Sequence, residues 1–223
     1  MNAIKLLLAD DHAIARAGLR ALLAAAEDMC VLGEAENGLQ AVREAERLRP
    51  DVVLMDLAMP LLNGVEAARQ IAAKAPAVRV LVLSSYHDEP HVRQALRAGV
   101  AGYLMKESAA DDLLEAIRET SSGGAFFSPP LLNYLLQEWQ GGPPEGRAAA
   151  TMEASLTRRQ AEVLQLIAEG FGTKQIADIL SLSQKTIERH RQFLRNKLNL
   201  HNVASMTRYA VSSGRVESDR VPL

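Results

Sequence analysis

The chain has 223 residues, 48% of them hydrophobic, and a formal net charge of −2. That length and composition fit one large or two modest globular domains and exclude a disordered polyelectrolyte. A lone cysteine, Cys30, excludes an internal disulfide, and no Cys/His cluster has zinc spacing. With no bilayer-length apolar run and no signal-type leader, a cytoplasmic protein is expected.

In the first half, short apolar runs alternate with helical patterns. Strands are predicted at 4–9, 31–35, 52–55, 80–83 and 102–105, and helices at 13–26, 39–48, 64–74, 89–98 and 109–121. Five βα units read as an α/β fold, a five-stranded parallel, doubly wound sheet. Residues 122–154 change character. Gly123-Gly124, Pro129-Pro130 and Gly141-Gly142-Pro143-Pro144 mark a linker, with one short helix predicted at 131–139. The last part is all-α by pattern, with four helices at 157–169, 174–180 (Thr173 as its cap), 183–198 and 203–212. The expected boundaries are 1–121, linker 122–154, 155–215, and a tail at 216–223.

Charge divides along the same line. Residues 1–150 carry 14 Lys/Arg against 20 Asp/Glu, whereas 151–223 carry 11 against 7. Only the second part suits a polyanion.

In the first part, Asp10 and Asp11 close one predicted strand and Asp56 another, and such strand ends share a crevice in an open α/β sheet. Taken singly, such acids often only cap the next helix. Crowded together, they resist ionising and favour a divalent cation, here Mg²⁺. Ser84 and Lys106 end two further strands, with Tyr103 between them in the last strand. Acid pair, single acid, hydroxyl and amine form a plausible site for placing phosphate on Asp56. Ser85 leaves the hydroxyl register open by one residue; Ser84 is preferred because the apolar run ends at Leu83.

These residues, as Ala9-Asp-Asp-His12, Asp56-Leu-Ala-Met-Pro60, Gly64, Ser84 and Gly102-Tyr-Leu-Met-Lys106, resemble the receiver domain of two-component response regulators. Leu156-Thr-Arg-Arg-Gln-Ala-Glu-Val-Leu164 with Lys185-Thr-Ile-Glu-Arg-His190 resembles the LuxR-type helix-turn-helix. Together they are similar to the NarL/FixJ family. The resemblance implies a flavodoxin-like strand order 2-1-3-4-5 and phosphorylation of Asp56 by a sensor histidine kinase. It further implies Mg²⁺ on Asp10, Asp11, Asp56 and the Ala58 carbonyl, with Ser84, Tyr103 and Lys106 as switch and phosphate contacts.

In the second part, residues 183–198 carry Lys185, Arg189, Arg191, Arg195 and Lys197 against Glu188 alone. A basic helix face is often only solvated, but a capped helix and tight turn before it favour a recognition helix in the DNA major groove. Lys185, Thr186, Arg191, Arg195 and Lys197 are candidates for phosphate, with Thr173 and Lys174 at the preceding helix start. Glu188, Arg189 and Gln192 are candidates for base edges, and His190 for phosphate or packing. Val203, Met206, Tyr209 and Ala210 form an apolar face of the last helix that suits core packing as well as a partner. By the resemblance this helix forms a DNA-bound dimer contact, so a homodimer on two-fold operator DNA, acting on the transcription machinery, is implied. An aspartyl-phosphate phosphatase is the enzymatic rival. It needs a second acid two residues after its nucleophile, where this chain has Ala58. A non-enzymatic regulator is therefore expected.

Overall fold

The computed structural model describes residues 3–85, 89–128, 131, 156–200, 202–216 and 221. The chain divides into two units, Met1–Gln140 and Gly141–Leu223.

Unit one alternates strand and helix: β1 (Ile4–Ala9), α1 (Ala13–Ala24), β2 (Met29–Ala35), α2 (Gly38–Leu48), β3 (Val52–Asp56), α3 (Gly64–Lys74), β4 (Arg79–Ser84), α4 (Glu89–Arg97), β5 (Gly102–Met105), α5 (Ala110–Ser121) and β6 (Phe126–Phe127). The sheet is parallel throughout, in the order β2-β1-β3-β4-β5-β6. Helices cover both faces, which is why its central strands read as unbroken apolar runs. Period-two alternation sends Leu7, Val53, Met55, Val82 and Tyr103 into one core, and Leu6, Leu8, Leu54, Leu81, Leu83 and Leu104 into the other.

The five expected strands form, but the sheet is six-stranded. Phe126–Phe127 adds a parallel edge strand to β5 inside the stretch read as linker. Two residues are too few to show a period. What holds the segment is distant in sequence, since the Arg79 guanidinium donates to the Gly124 carbonyl at 2.7 Å. The short helix expected at 131–139 lies outside the described residues, except for Leu131, which is buried.

Unit two comprises α6 (Arg158–Ala168), α7 (Thr173–Leu180), α8 (Gln184–Leu198) and α9 (Val203–Ser212). Thr157 and Gln160 form a reciprocal cap at the start of α6. Ser183 caps α8 by accepting from the Thr186 N–H at 3.1 Å. Thr173, expected as a cap, is instead the first residue of α7. The preceding Gly172 N–H donates to the Gln175 side chain at 2.9 Å, so that side chain does the capping. The core joins Val163, Leu164, Ile167, Ile176, Ile187, Leu194 and Met206.

Candidate functional site

Asp10 and Asp56 stand at the carboxyl ends of β1 and β3, which are neighbours in the sheet, so their side chains meet although 46 residues separate them. Lys106 directly follows β5. Its amide donates to the Ser84 carbonyl at 3.0 Å, and its ammonium reaches Asp10 Oδ2 at 2.8 Å and Asp56 Oδ2 at 3.0 Å. Three predicted residues are thereby brought together. Ligand atoms of Asp10, Asp11, His12 and Asp56 all lie within 4.8 Å of one another. Ser84 and Tyr103 are fully buried, and Ser85 is exposed. The Tyr103 ring is enclosed in the core. Ala58 is half-buried two residues beyond Asp56.

The β3–α3 loop is fixed tightly. Leu61 adopts a left-handed φ of 66°, the Leu62 N–H donates to the Pro60 carbonyl at 2.7 Å, and Asn63 caps α3. Gly64 donates to the Leu57 carbonyl at 2.8 Å, and a Cβ there would collide with the Asp56 carbonyl. Only glycine lets α3 begin this close to the acid.

Electrostatics set each acid apart. Burial raises the Asp56 carboxyl to about 6; Lys106 opposes that, while the charges of Asp10 and Asp11 add to it. Burial also works to raise Asp10, but the hydrogen bonds from Lys106 and from the His12 backbone outweigh it, so Asp10 lies below its usual value. Burial would lower Lys106, yet Asp56 and Asp10 hold it above the ordinary lysine range. Clustered carboxylates, one of them reluctant to ionise, are what a divalent oxygen-loving cation would stabilise. The donor set fits such an ion.

Two partners had not been singled out. His12 Nδ1 lies 3.2 Å from Asp10 Oδ1 and 3.1 Å from Asp11 Oδ1; its position beside the acid doublet was the available signal. Arg16 is buried in α1 and donates to the Asp10 carbonyl at 2.7 Å, to Glu34 at 3.1 Å and to Glu36 at 2.8 Å. One guanidinium thus holds the end of β1 against the end of β2.

In unit two, Lys185, Glu188, Arg189, Gln192 and Arg195 are exposed along α8, whereas Thr186, His190, Arg191 and Lys197 are half-buried. Gln192 donates to Asn196 at 3.0 Å. Burial, then the Arg195 charge, lowers the pKa of Arg191, a crowding of cations that an anionic backbone would relieve. Thr173 is half-buried and Lys174 exposed at the start of α7. Of the expected dimer residues, Met206 and Ala210 are buried inside the unit, because that side of α9 faces α6. Tyr209 is half-buried, and Val203 is 46% exposed.

A parallel sheet with an acid cluster and lysine at its carboxyl edge, followed by four helices with one basic face, defines a receiver coupled to a helix-turn-helix module. Residues 6–118 match the response regulator receiver domain family, and residues 154–210 match the luxR family of bacterial regulatory proteins. The chain belongs to the NarL/FixJ family of two-component response regulators, and is a transcription regulator.

It is 35% identical to the transcriptional regulatory protein DegU of Brevibacillus brevis, covering 97% of this chain and 96% of that one. It is 34% identical to LnrK of Bacillus subtilis, covering 95% and 98%. Among solved structures it resembles RcsB of Salmonella enterica serovar Typhimurium bound to promoter rprA with phosphomimetic BeF3−. The TM-score is 0.58 and the identity 27%, covering 93% of this chain and 98% of that one. No helix among the described residues is long and apolar enough to cross a membrane.

Proposed function

We propose that Asp56 accepts a phosphoryl group from a phosphohistidine on a sensor histidine kinase, and that this controls DNA binding by unit two. The carrying observation is the Lys106 ammonium between Asp10 and Asp56 at the mouth of the sheet. An Asp56 carboxylate oxygen attacks phosphorus, and the O–P bond forms as the P–N bond breaks, with its electron pair returning to the imidazole. Lys106 is within reach of an oxygen of the transferred group, and the Ser84 hydroxyl is the candidate donor to another. Asp10, Asp11, Asp56 and the Ala58 carbonyl are the proposed holders of Mg²⁺, which when bound offsets charge on the transferring group.

Phosphate on Asp56 then biases a pre-existing equilibrium through Ser84 and Tyr103. Unit two binds operator DNA through α8 as a homodimer, with Val203 and Tyr209 as the accessible candidates for the α9 contact, and acts on the transcription machinery from there. The boundaries 1–121, 122–154, 155–215 and 216–223 are proposed for receiver, linker, DNA-binding domain and tail, with β6 as the part of the 122–154 stretch that joins the receiver sheet.

The test is labelling with a small phosphodonor and Mg²⁺. Wild type should gain one acid-labile phosphate and Asp56→Ala none; full labelling of the variant would refute the assignment.

A further inference from the structure

Among the described residues the exposed large hydrophobics are Ile14, Val203 and Phe193, and only Phe193 lies on the basic helix. Ile187 and Leu194, fully buried, mark the inward line of α8. At 3.6 residues per turn, Phe193 falls on the outward half, about 40° around the axis from Arg189 on one side and Lys197 on the other. Lys197 Nζ sits 5.3 Å from the centre of the ring, a cation–π contact that steadies it. The order around this flank is therefore guanidinium, phenyl ring, ammonium.

A phenyl ring can exploit little of what a duplex offers. Base edges in the major groove present donors and acceptors, which it cannot satisfy, and one apolar group, the C5 methyl of thymine. The flanking cations make an anionic partner the fitting occupant of this surface, and Lys197 lies on the side away from Arg189, where a phosphate would neutralise it. We infer that Phe193 is a specificity-determining residue that packs on a thymine methyl in the operator. This rests on the reading of α8 as the recognition helix.

The experiment uses the full chain. Bound sequences are selected from random duplexes, and each thymine of the selected site is then replaced singly by deoxyuridine, which removes only the methyl group. Losing one buried methyl should weaken wild-type binding about three- to fivefold at a single thymine of each half-site. Phe193→Ala should show no penalty there and should select sites without that thymine preference. A wild type that binds a defined sequence but pays no deoxyuridine penalty overturns the inference and leaves the DNA reading intact. So does a Phe193→Ala protein that pays the same penalty as wild type. A wild type that selects no sequence overturns both.

Discussion

Lys106 Nζ stands 3.0 Å from Asp56 Oδ2, yet the Asp56 carboxyl is still pushed up to about 6. Burial dominates the neighbouring cation, and two further acids lie on the same side of the balance. At neutral pH the folded receiver therefore carries an anion that it holds less comfortably than the unfolded chain does.

That imbalance has a definite sign. The folded Asp56 binds its proton more tightly than the reference value of 3.8, so its contribution to stability is full below about pH 4 and is lost as pH rises through about 6. Asp56→Asn removes the loss. In chelator-treated protein at pH 7.5 it should raise the midpoint of receiver unfolding by a few degrees, from an effect on the order of 2 kcal/mol. The gain should shrink toward zero near pH 4. Calorimetry across that range checks it, and an unfolding midpoint below wild type at pH 7.5 would count against the account.

Lys106 and the proposed Mg²⁺ would be two cations facing one set of acids. Removing the ammonium as Lys106→Met takes away repulsion toward the metal, so at pH 8 Mg²⁺ should bind several-fold more tightly by calorimetric titration. Phosphoryl incorporation should nevertheless fall, by about 100-fold, because a donor to the transferred group is gone. Weaker Mg²⁺ binding in the variant would show that Lys106 organises the acids rather than competing at their site.

Much of this was legible because the signals are local. Leu6-Leu7-Leu8 and Val52-Val53-Leu54-Met55 are buried on both faces, so their hydrophobicity is continuous, and the acids that follow them mark the strand ends. The helical pattern placed the starts of α6 and α8 within one residue, the first position of each predicted helix proving to be its cap, Thr157 and Ser183. What escaped depends on contacts between distant segments. Nothing around Phe126 announces an edge strand, since its support comes from Arg79. Nothing around Arg16 announces that α1 folds it beneath Asp10 toward Glu34 and Glu36. Met206 and Ala210 share a helix with Val203, but periodicity alone does not say which side faces α6.

Arg16 supplies a prediction of its own. Its guanidinium is buried, with three acceptors on β1 and β2 ends, among them the Asp10 carbonyl. Arg16→Ala leaves that carbonyl without its donor and Glu34 without a partner on that oxygen, a cost of about 2–3 kcal/mol. The unfolding midpoint of unit one should fall by roughly 4–12 °C. Arg16→Lys should recover only part of this, because one ammonium cannot span three acceptors in a fixed fork. An unchanged midpoint for Arg16→Ala would show that the cluster is a solvated surface arrangement.

On α8 the division between reading and anchoring separates two arginines six residues apart. Arg189 lies opposite the buried line of Ile187 and Leu194, where the helix would face base edges. Arg195 lies toward one flank, where its charge adds to burial in lowering the pKa of Arg191. A guanidinium on guanine carries sequence information, whereas one on phosphate carries only charge. Arg189→Ala should therefore cost about 1–3 kcal/mol on the selected site and broaden the selected sequence at one position. Arg195→Ala should weaken binding to all duplexes alike and reduce the slope of log affinity against log salt by about 0.9, one phosphate contact. Salt-dependent binding measured on selected and scrambled duplexes distinguishes them. If both variants lose affinity in the same proportion on both duplexes, with equal slopes, then Arg189 is a backbone contact and base reading falls to other outward residues of α8.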